Sequence, residues 1–180
     1  IVPIAARKGG VMERCEELKA ELEKAGIRVT LDATDNSPGW KFNEWEMKGV
    51  PLRIEIGPRD IENNQVMIMR RDNLEKQAVS MDGLGEYINA LLDTVQKDLF
   101  IKSKKNRDAR VVTADSLDGI LSGVEGKNFV KAGWCGCREC EDKVKEQTAA
   151  TSRVYVEEES KETCAVCGKK AKHVIIYARA

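Results

Sequence analysis

The sequence predicts a layered α/β domain followed by a small, cysteine-rich α+β domain, divided at residues 1–101 and 102–180. Three observations carry this. Apolar segments of strand period alternate with segments of helical period over the first hundred or so residues. A long amphipathic stretch marked by Leu84, Ile88, Leu91, Leu92, Val95 and Leu99 closes that region. Five of the six cysteines (Cys135, Cys137, Cys140, Cys164, Cys167) then fall in the last quarter of the chain.

In chain order, Ile1-Val2-Pro3-Ile4 opens on apolar residues without an initiator Met, as the end of a buried strand in a longer chain would. Val11, Cys15, Leu18, Leu22 and Ala25 recur at helical spacing, and Gly26 stands where a helix C-terminus is capped. Ile27 to Leu31 alternates apolar and polar residues, predicting a strand with one buried face. Asp32 to Ser37 is turn-rich, and Pro38 suits the first turn of a helix running to about Lys48, which Gly49 and Pro51 end. Leu52, Ile54 and Ile56 alternate with Arg53 and Glu55 in a second strand. Gly57-Pro58 and Asn63-Asn64 punctuate the chain before a third strand from Gln65 to Met69. The resulting sheet is expected to be parallel or mixed.

Beyond Phe100 the pattern changes. Lys102 to Arg110 is basic and lacks apolar periodicity, which fits a linker, a helix continuing into solvent, or a contact with an RNA backbone. Leu117, Ile120, Leu121 and Val124 mark a short helix, Glu141 to Gln147 a charged helix, and Val174 to Tyr177 a last apolar strand.

Composition limits the function. With 42% hydrophobic and 33% charged residues, the chain is expected to be soluble and folded. No stretch approaches the roughly 20 apolar residues of a bilayer span, and no basic-then-apolar run suggests secretion. Membrane partners are therefore not expected, and a reducing, cytoplasmic location is. Lys and Arg balance Asp and Glu at 30 each, which argues against a protein holding nucleic acid by bulk charge alone. Any such contact must come from a local patch or from reading bases.

Cys164-Ala-Val-Cys167-Gly168 places two thiols on one tight turn, where both can chelate a single ion. A second pair upstream would complete a closed four-thiolate site, which predicts structural zinc. Cys135-Gly-Cys137-Arg-Glu-Cys140 offers three thiols for the two remaining places, and spacing alone favours Cys137 with Cys140. His173 is a further candidate, but four cysteines suffice, and it is expected at the surface or in packing. A redox pair needs one such motif at a helix start, so two separated pairs favour metal over redox chemistry.

The segment from Pro38 to Asp60 is the most specific in the chain. Phe42 and Glu46 sit four residues apart on one helix face, which puts a ring beside a carboxylate and suits a stacked, hydrogen-bonded nucleobase. Residue type alone favours Phe42 in a core, and Trp40 and Trp45 are expected there. The run Gly39-Trp-Lys-Phe-Asn-Glu-Trp-Glu-Met-Lys-Gly-Val-Pro-Leu-Arg53, followed by Gly57-Pro-Arg-Asp60, closely resembles the anticodon-binding domain of prolyl-tRNA synthetases. Ile61-Glu-Asn-Asn-Gln65 and Arg70-Arg-Asp72 continue the likeness. Trp134-Cys135 with Cys140, the Cys164/Cys167 pair and the closing Tyr177-Ala-Arg-Ala180 resemble the zinc-bearing C-terminal extension of the archaeal/eukaryotic type.

The resemblance implies a class IIa synthetase anticodon-binding domain, a mixed sheet flanked by helices, with a zinc-binding domain after it. It implies Cys135, Cys140, Cys164 and Cys167 as the ligands and leaves Cys137 spare. It implies a proline tRNA as partner, bound by Phe42, Glu46, Arg53, Arg59, Asp60 and Lys76, with no role for DNA. Proline codons begin CC, so their anticodons carry two adjacent guanines; a carboxylate can accept from guanine N1–H and N2–H while Arg or Lys donates to O6. The implied parent is a homodimeric proline–tRNA ligase whose ATP- and Mg-dependent catalytic domain lies upstream of Ile1. The class II catalytic motifs are missing from these 180 residues, so the chain alone is expected to be inactive. The other candidate is a non-catalytic RNA-binding module reusing such a domain. The family commonly ends on a Tyr, whereas this sequence ends on Ala180.

Overall fold

The computed structural model describes residues 1–157 and 159–179, and the chain divides into two compact units, Ile1–Ile101 and Lys102–Ala180. Ala180, the last residue of the Tyr-Ala-Arg-Ala run, lies outside the described residues. No helix among the described residues is long and apolar enough to cross a membrane.

The first unit contains β1 (Val2–Pro3), α1 (Val11–Lys24), α2 (Pro38–Met47), β2 (Leu52–Ile56), α3 (Pro58–Glu62), β3 (Gln65–Arg70), β4 (Lys76–Ser80) and most of α4 (Leu84–Asp108). Its sheet runs β1-β2-β3-β4, with β1 parallel to β2 and the other pairs antiparallel, the mixed sheet expected. Alternation in β2 and β3 sends Ile54, Ile56, Val66 and Ile68 to one face, where they meet Val11, Cys15, Leu18 and Leu22 of α1 and Leu84 and Ile88 of α4. Leu18, Ile56, Val66 and Ile68 are fully buried, each such side chain stabilising the unit by about 1.5–3 kcal/mol.

Ile27–Leu31 departs from expectation. Its apolar residues do turn inward, but the segment is not a sheet strand. Among the described residues, two hydrogen bonds tie it and the residue after it to Ile1, from Ile1 N to Thr30 O (2.7 Å) and from Asp32 N to Ile1 O (2.9 Å). A cavity of about 510 Å³, lined by Ile27, Val29, Leu52, Ile54 and Leu92 among others, lies beside the segment. Conversely, α3 and β4 arise where the sequence shows only turn signals and a polar run.

The helix α2 is held by a buried polar centre. Ser37 caps it, its Oγ accepting from Trp40 N at 3.4 Å. Contrary to expectation Trp40 is exposed, because Lys41 and Trp45 take the inward positions instead. The Trp45 indole donates to Asp32 Oδ2 at 2.8 Å, and Lys41 Nζ donates to Asp32 O at 2.9 Å while lying 3.6 Å from Oδ1. Thr34 adds two bonds to Asp32 Oδ1, from its amide and its hydroxyl. Burial pushes the Asp32 carboxyl up, but these donors from Thr34 and Trp45 outweigh it and hold the group below the usual carboxylate range. A depressed folded value contributes stability that is present above the unfolded value of about 3.9 and lost as pH falls through the folded one. Acid titration of unit 1, followed by Trp45 fluorescence, should therefore show stability falling below about pH 4, with Asp32 supplying up to roughly 1.4 kcal/mol per pH unit. The Asp32→Asn variant should lack that component, and an unchanged acid slope would refute the assignment.

The second unit contains β5 (Val111–Ala114), α5 (Leu117–Glu125), β6 (Phe129–Trp134), α6 (Arg138–Thr148), β7 (Thr151–Tyr155) and β8 (His173–Ala178). Its sheet runs β5-β6-β8-β7, with β5 and β6 parallel across α5 and the remaining pairs antiparallel. Ile120 and Val124 of α5, Val144 of α6, and Val130, Ala132, Ile175 and Tyr177 of the sheet form its core. The basic stretch after Phe100 is helical as far as Asp108, every residue exposed, with Lys104 and Arg107 paired to Asp108.

Candidate nucleic-acid interface and metal centre

Strand register builds the first site. Arg53 lies opposite Met69, and Met69 opposite Lys76, so Arg53 and Lys76 share one row across β2, β3 and β4. They stand on the sheet face away from the Ile54 and Ile56 core, where Phe42 and Glu46 of α2 meet Arg53. The Arg53 guanidinium lies 3.9 Å from the centroid of the Phe42 ring. Its Nη1 donates to Glu46 Oε1 at 3.0 Å, and its Nε and Nη2 both donate to Glu55 Oε1 at 3.1 Å. Lys76 Nζ donates to the other Glu55 oxygen at 2.6 Å. Four of the residues expected at the interface, Phe42, Glu46, Arg53 and Lys76, thus form one array.

The array presents mixed chemistry at the surface. Glu46 and Lys76 have half-exposed side chains, and Glu46 Oε2 takes part in no hydrogen bond among the described residues. An open carboxylate oxygen on Glu46, a half-exposed cation on Lys76 and an aromatic ring under the Arg53 guanidinium are the group types that recognise a nucleobase edge.

Arg59 and Asp60 sit apart from this array on α3, with no hydrogen bond or ion pair to it among the described residues. Arg59 is exposed. Asp60 caps α3, its Oδ2 accepting from Gly57 N at 2.9 Å, and Oδ1 accepts from Gln65 Nε2 at 3.4 Å. The residue missed from sequence is Glu55, which is 4% exposed although alternation assigns it to a solvent face. The available signal is the opposite charge of Arg53 two positions earlier, which places an ion pair on one face of β2.

The second site lies at the end of β6. The Sγ atoms of Cys135, Cys140, Cys164 and Cys167 all fall within 4.8 Å of one another and could hold a metal ion. Cys135 Sγ is 3.7 Å from both Cys140 Sγ and Cys167 Sγ. A tetrahedral four-sulfur site with metal–sulfur bonds of about 2.3 Å has edges of about 3.8 Å, so the sulfurs fit such an ion. Cys137 Sγ lies 3.1 Å from Cys135 Sγ but outside the cluster of four. His173 instead joins Trp134 and Tyr155 in an aromatic group at ring separations of 5.2–6.3 Å.

Local backbone shapes the cluster. Gly168 adopts φ 70°, which lets the turn after Cys167 close, and Cys164 N donates to Lys169 O at 2.7 Å. At Gly133 a Cβ would stand 2.2 Å from Thr163 O, so glycine there admits the Cys164 turn, and Ala165 N donates to Gly133 O at 2.9 Å. Burial raises the Cys164 thiol, but backbone N–H groups of Cys167, Val166 and Cys135 outweigh it and bring the group to about 7. A thiol held near neutrality is readily available as the thiolate that metals bind.

Comparison with known proteins places both units. A family model described as "Anticodon binding domain" matches residues 1–91, and one described as "Prolyl-tRNA synthetase, C-terminal" matches residues 117–180. The chain is 50% identical to a proline–tRNA ligase of Acetoanaerobium sticklandii and 52% identical to one of Alkaliphilus oremlandii, in each case over its whole length. It spans 38% of each of those relatives. A crystal structure of prolyl-tRNA synthetase from Cryptosporidium parvum, complexed with L-proline and AMP, superposes with a TM-score of 0.94 at 34% identity, covering 99% of this chain and 40% of that one.

Proposed function

Because the chain belongs to the prolyl-tRNA synthetase family, we propose that it is the tRNA-recognition portion of a proline–tRNA ligase and reads the anticodon guanines of a proline tRNA. The array of Phe42, Glu46, Arg53 and Lys76 carries this. Glu46 accepts from guanine N1–H and N2–H, Arg53 or Lys76 donates to O6, and a base stacks against Phe42 or on the guanidinium already covering it. Arg59 and Asp60 of α3 serve the neighbouring nucleotide, Asp60 while capping its own helix.

Cys135, Cys140, Cys164 and Cys167 hold a structural zinc, supported by the tetrahedral spacing of their sulfurs. When bound, the ion cross-links the end of β6, the first turn of α6 and the Cys164–Gly168 turn, leaving no coordination position for substrate. In the parent enzyme, proline and ATP with Mg react in a catalytic domain to prolyl-adenylate and pyrophosphate, and the prolyl group then passes to the tRNA 3′ end. Cytoplasmic homodimers are the expected setting.

The test is a titration of the chain against a proline tRNA transcript and one with the anticodon guanines replaced, at equal salt. A preference of roughly tenfold or more for the proline transcript is expected, since each wrong base removes about 1–3 kcal/mol. Equal affinities would refute base reading.

A further inference from the structure

Arg53 and Lys76 come from different strands, yet one buried carboxylate holds both. Glu55 accepts two bonds from Arg53 on Oε1 and one from Lys76 on Oε2, and at 4% exposure it meets no RNA itself. We propose that Glu55 is a positioning residue for anticodon discrimination, which keeps Glu46 open as an acceptor by holding the guanidinium of Arg53 away from it. The inference rests on the base-reading function proposed above.

The argument turns on how an arginine fork shares its donors. Glu55 engages the Nε and Nη2 edge of Arg53, so only Nη1 reaches Glu46, through a single bond to Oε1. Glu46 Oε2 is thereby left for a guanine's donors. Without the Glu55 charge, the fork is free to swing and grip both Glu46 oxygens in the preferred bidentate arrangement. The carboxylate that should read guanine would then be neutralised by its neighbour. Lys76 responds differently. Its side chain is 45% exposed, so losing Glu55 releases an unpaired cation able to meet any phosphate. Glu55 thus raises selectivity and restrains indiscriminate attraction together.

Glu55→Gln tests this, since it keeps the shape, removes the charge and turns an amide toward one of the two cations. In the titration against proline and guanine-replaced transcripts, the preference should fall about tenfold. Binding of the replaced transcript should gain salt dependence, its log–log slope steepening by about one unit for one freed lysine. The Arg53 Nε–H resonance should broaden relative to the wild type. A residue that merely maintains the fold would weaken both transcripts alike and leave the salt slope unchanged, and that result overturns the proposal. Should Glu55→Gln fail to fold, Glu55→Asp, which keeps the charge but shortens its reach, must still lower the preference, and an undiminished preference again overturns it. If the wild type has no preference for the proline transcript, base reading itself fails, and the loss is distinguishable from a failure of Glu55 alone.

Discussion

Chelating zinc from the chain is expected to unfold the Cys164–Gly168 turn and the first turn of α6, lowering the stability of the second unit by about 3 kcal/mol or more. Structural zinc in small peptides carries an apparent 10–16 kcal/mol, nearly all of it folding energy. The second unit has an apolar core of its own around Ile120, Val130, Val144 and Ile175, so only part of that sum is at stake. A loss of about 3 kcal/mol corresponds to a midpoint lower by roughly 12–24 °C for a domain of this size. Thiol titration gives the sharper readout. Cys15 is fully buried in the first unit and the proposed zinc would engage four thiols, so Cys137 alone should react quickly. After chelation, five should react. Cys164→Ser should abolish stoichiometric zinc, whereas Cys137→Ser should retain it. Less than about half an equivalent of zinc in the purified chain, with all five clustered thiols reactive, would defeat the metal assignment, and zinc lost on Cys137→Ser would move the ligand from Cys135 to Cys137.

The helices α1 and α4 were legible because burial repeats along them: Val11, Cys15, Leu18 and Leu22 recur every three or four residues and all face one core. The same holds for β2 and β3, whose inward residues alternate. Alternation names a face but not what covers it. Arg53 and Glu55 therefore read as solvated, although Phe42 and Glu46 of α2 meet Arg53, and Glu55 is buried between the cations of Arg53 and Lys76. The exposed Trp40 has the same origin. Size and aromaticity favour a tryptophan over a lysine for the interior, but Asp32 offers Lys41 a carbonyl and a carboxylate, and that partner is supplied by a loop nine residues away in sequence.

The second unit was legible chiefly through its thiols. Its strands β5 and β6 are parallel partners, so their pairing depends on α5 returning the chain, which no local pattern announces. Spacing alone favours Cys137 over Cys135 beside Cys140, whereas the structure clusters Cys135 with the other three sulfurs. The Cys137 backbone is held separately, its carbonyl accepting from Trp134 Nε1 at 3.0 Å.

Replacing Glu46 by Gln should lower affinity for a proline tRNA roughly 5- to 150-fold, the equivalent of about 1–3 kcal/mol for one lost base contact. The amide presents a donor where guanine N1–H and N2–H both donate, so a contact is lost and a repulsion put in its place. Binding to a transcript with the anticodon guanines replaced should hardly change, because phosphate contacts are untouched. Glu46 also accepts from Arg53, joining α2 to β2, so a structural effect has to be separated from base reading. That pair is half-exposed at Glu46 but largely buried at Arg53, which Glu55 continues to hold, so the change leaves no unpaired buried charge. An uncharged acceptor can still take the Arg53 bond through its carbonyl, which limits the structural effect further. Substituting Lys102, exposed on α4 and unpaired among the described residues, supplies the opposite signature: any loss should fall on both transcripts equally and flatten the salt dependence. Equal losses on the two transcripts for Glu46→Gln would show that Glu46 only braces α2 against β2, and base reading would pass to Asp60. No loss on either would place Glu46 outside the interface.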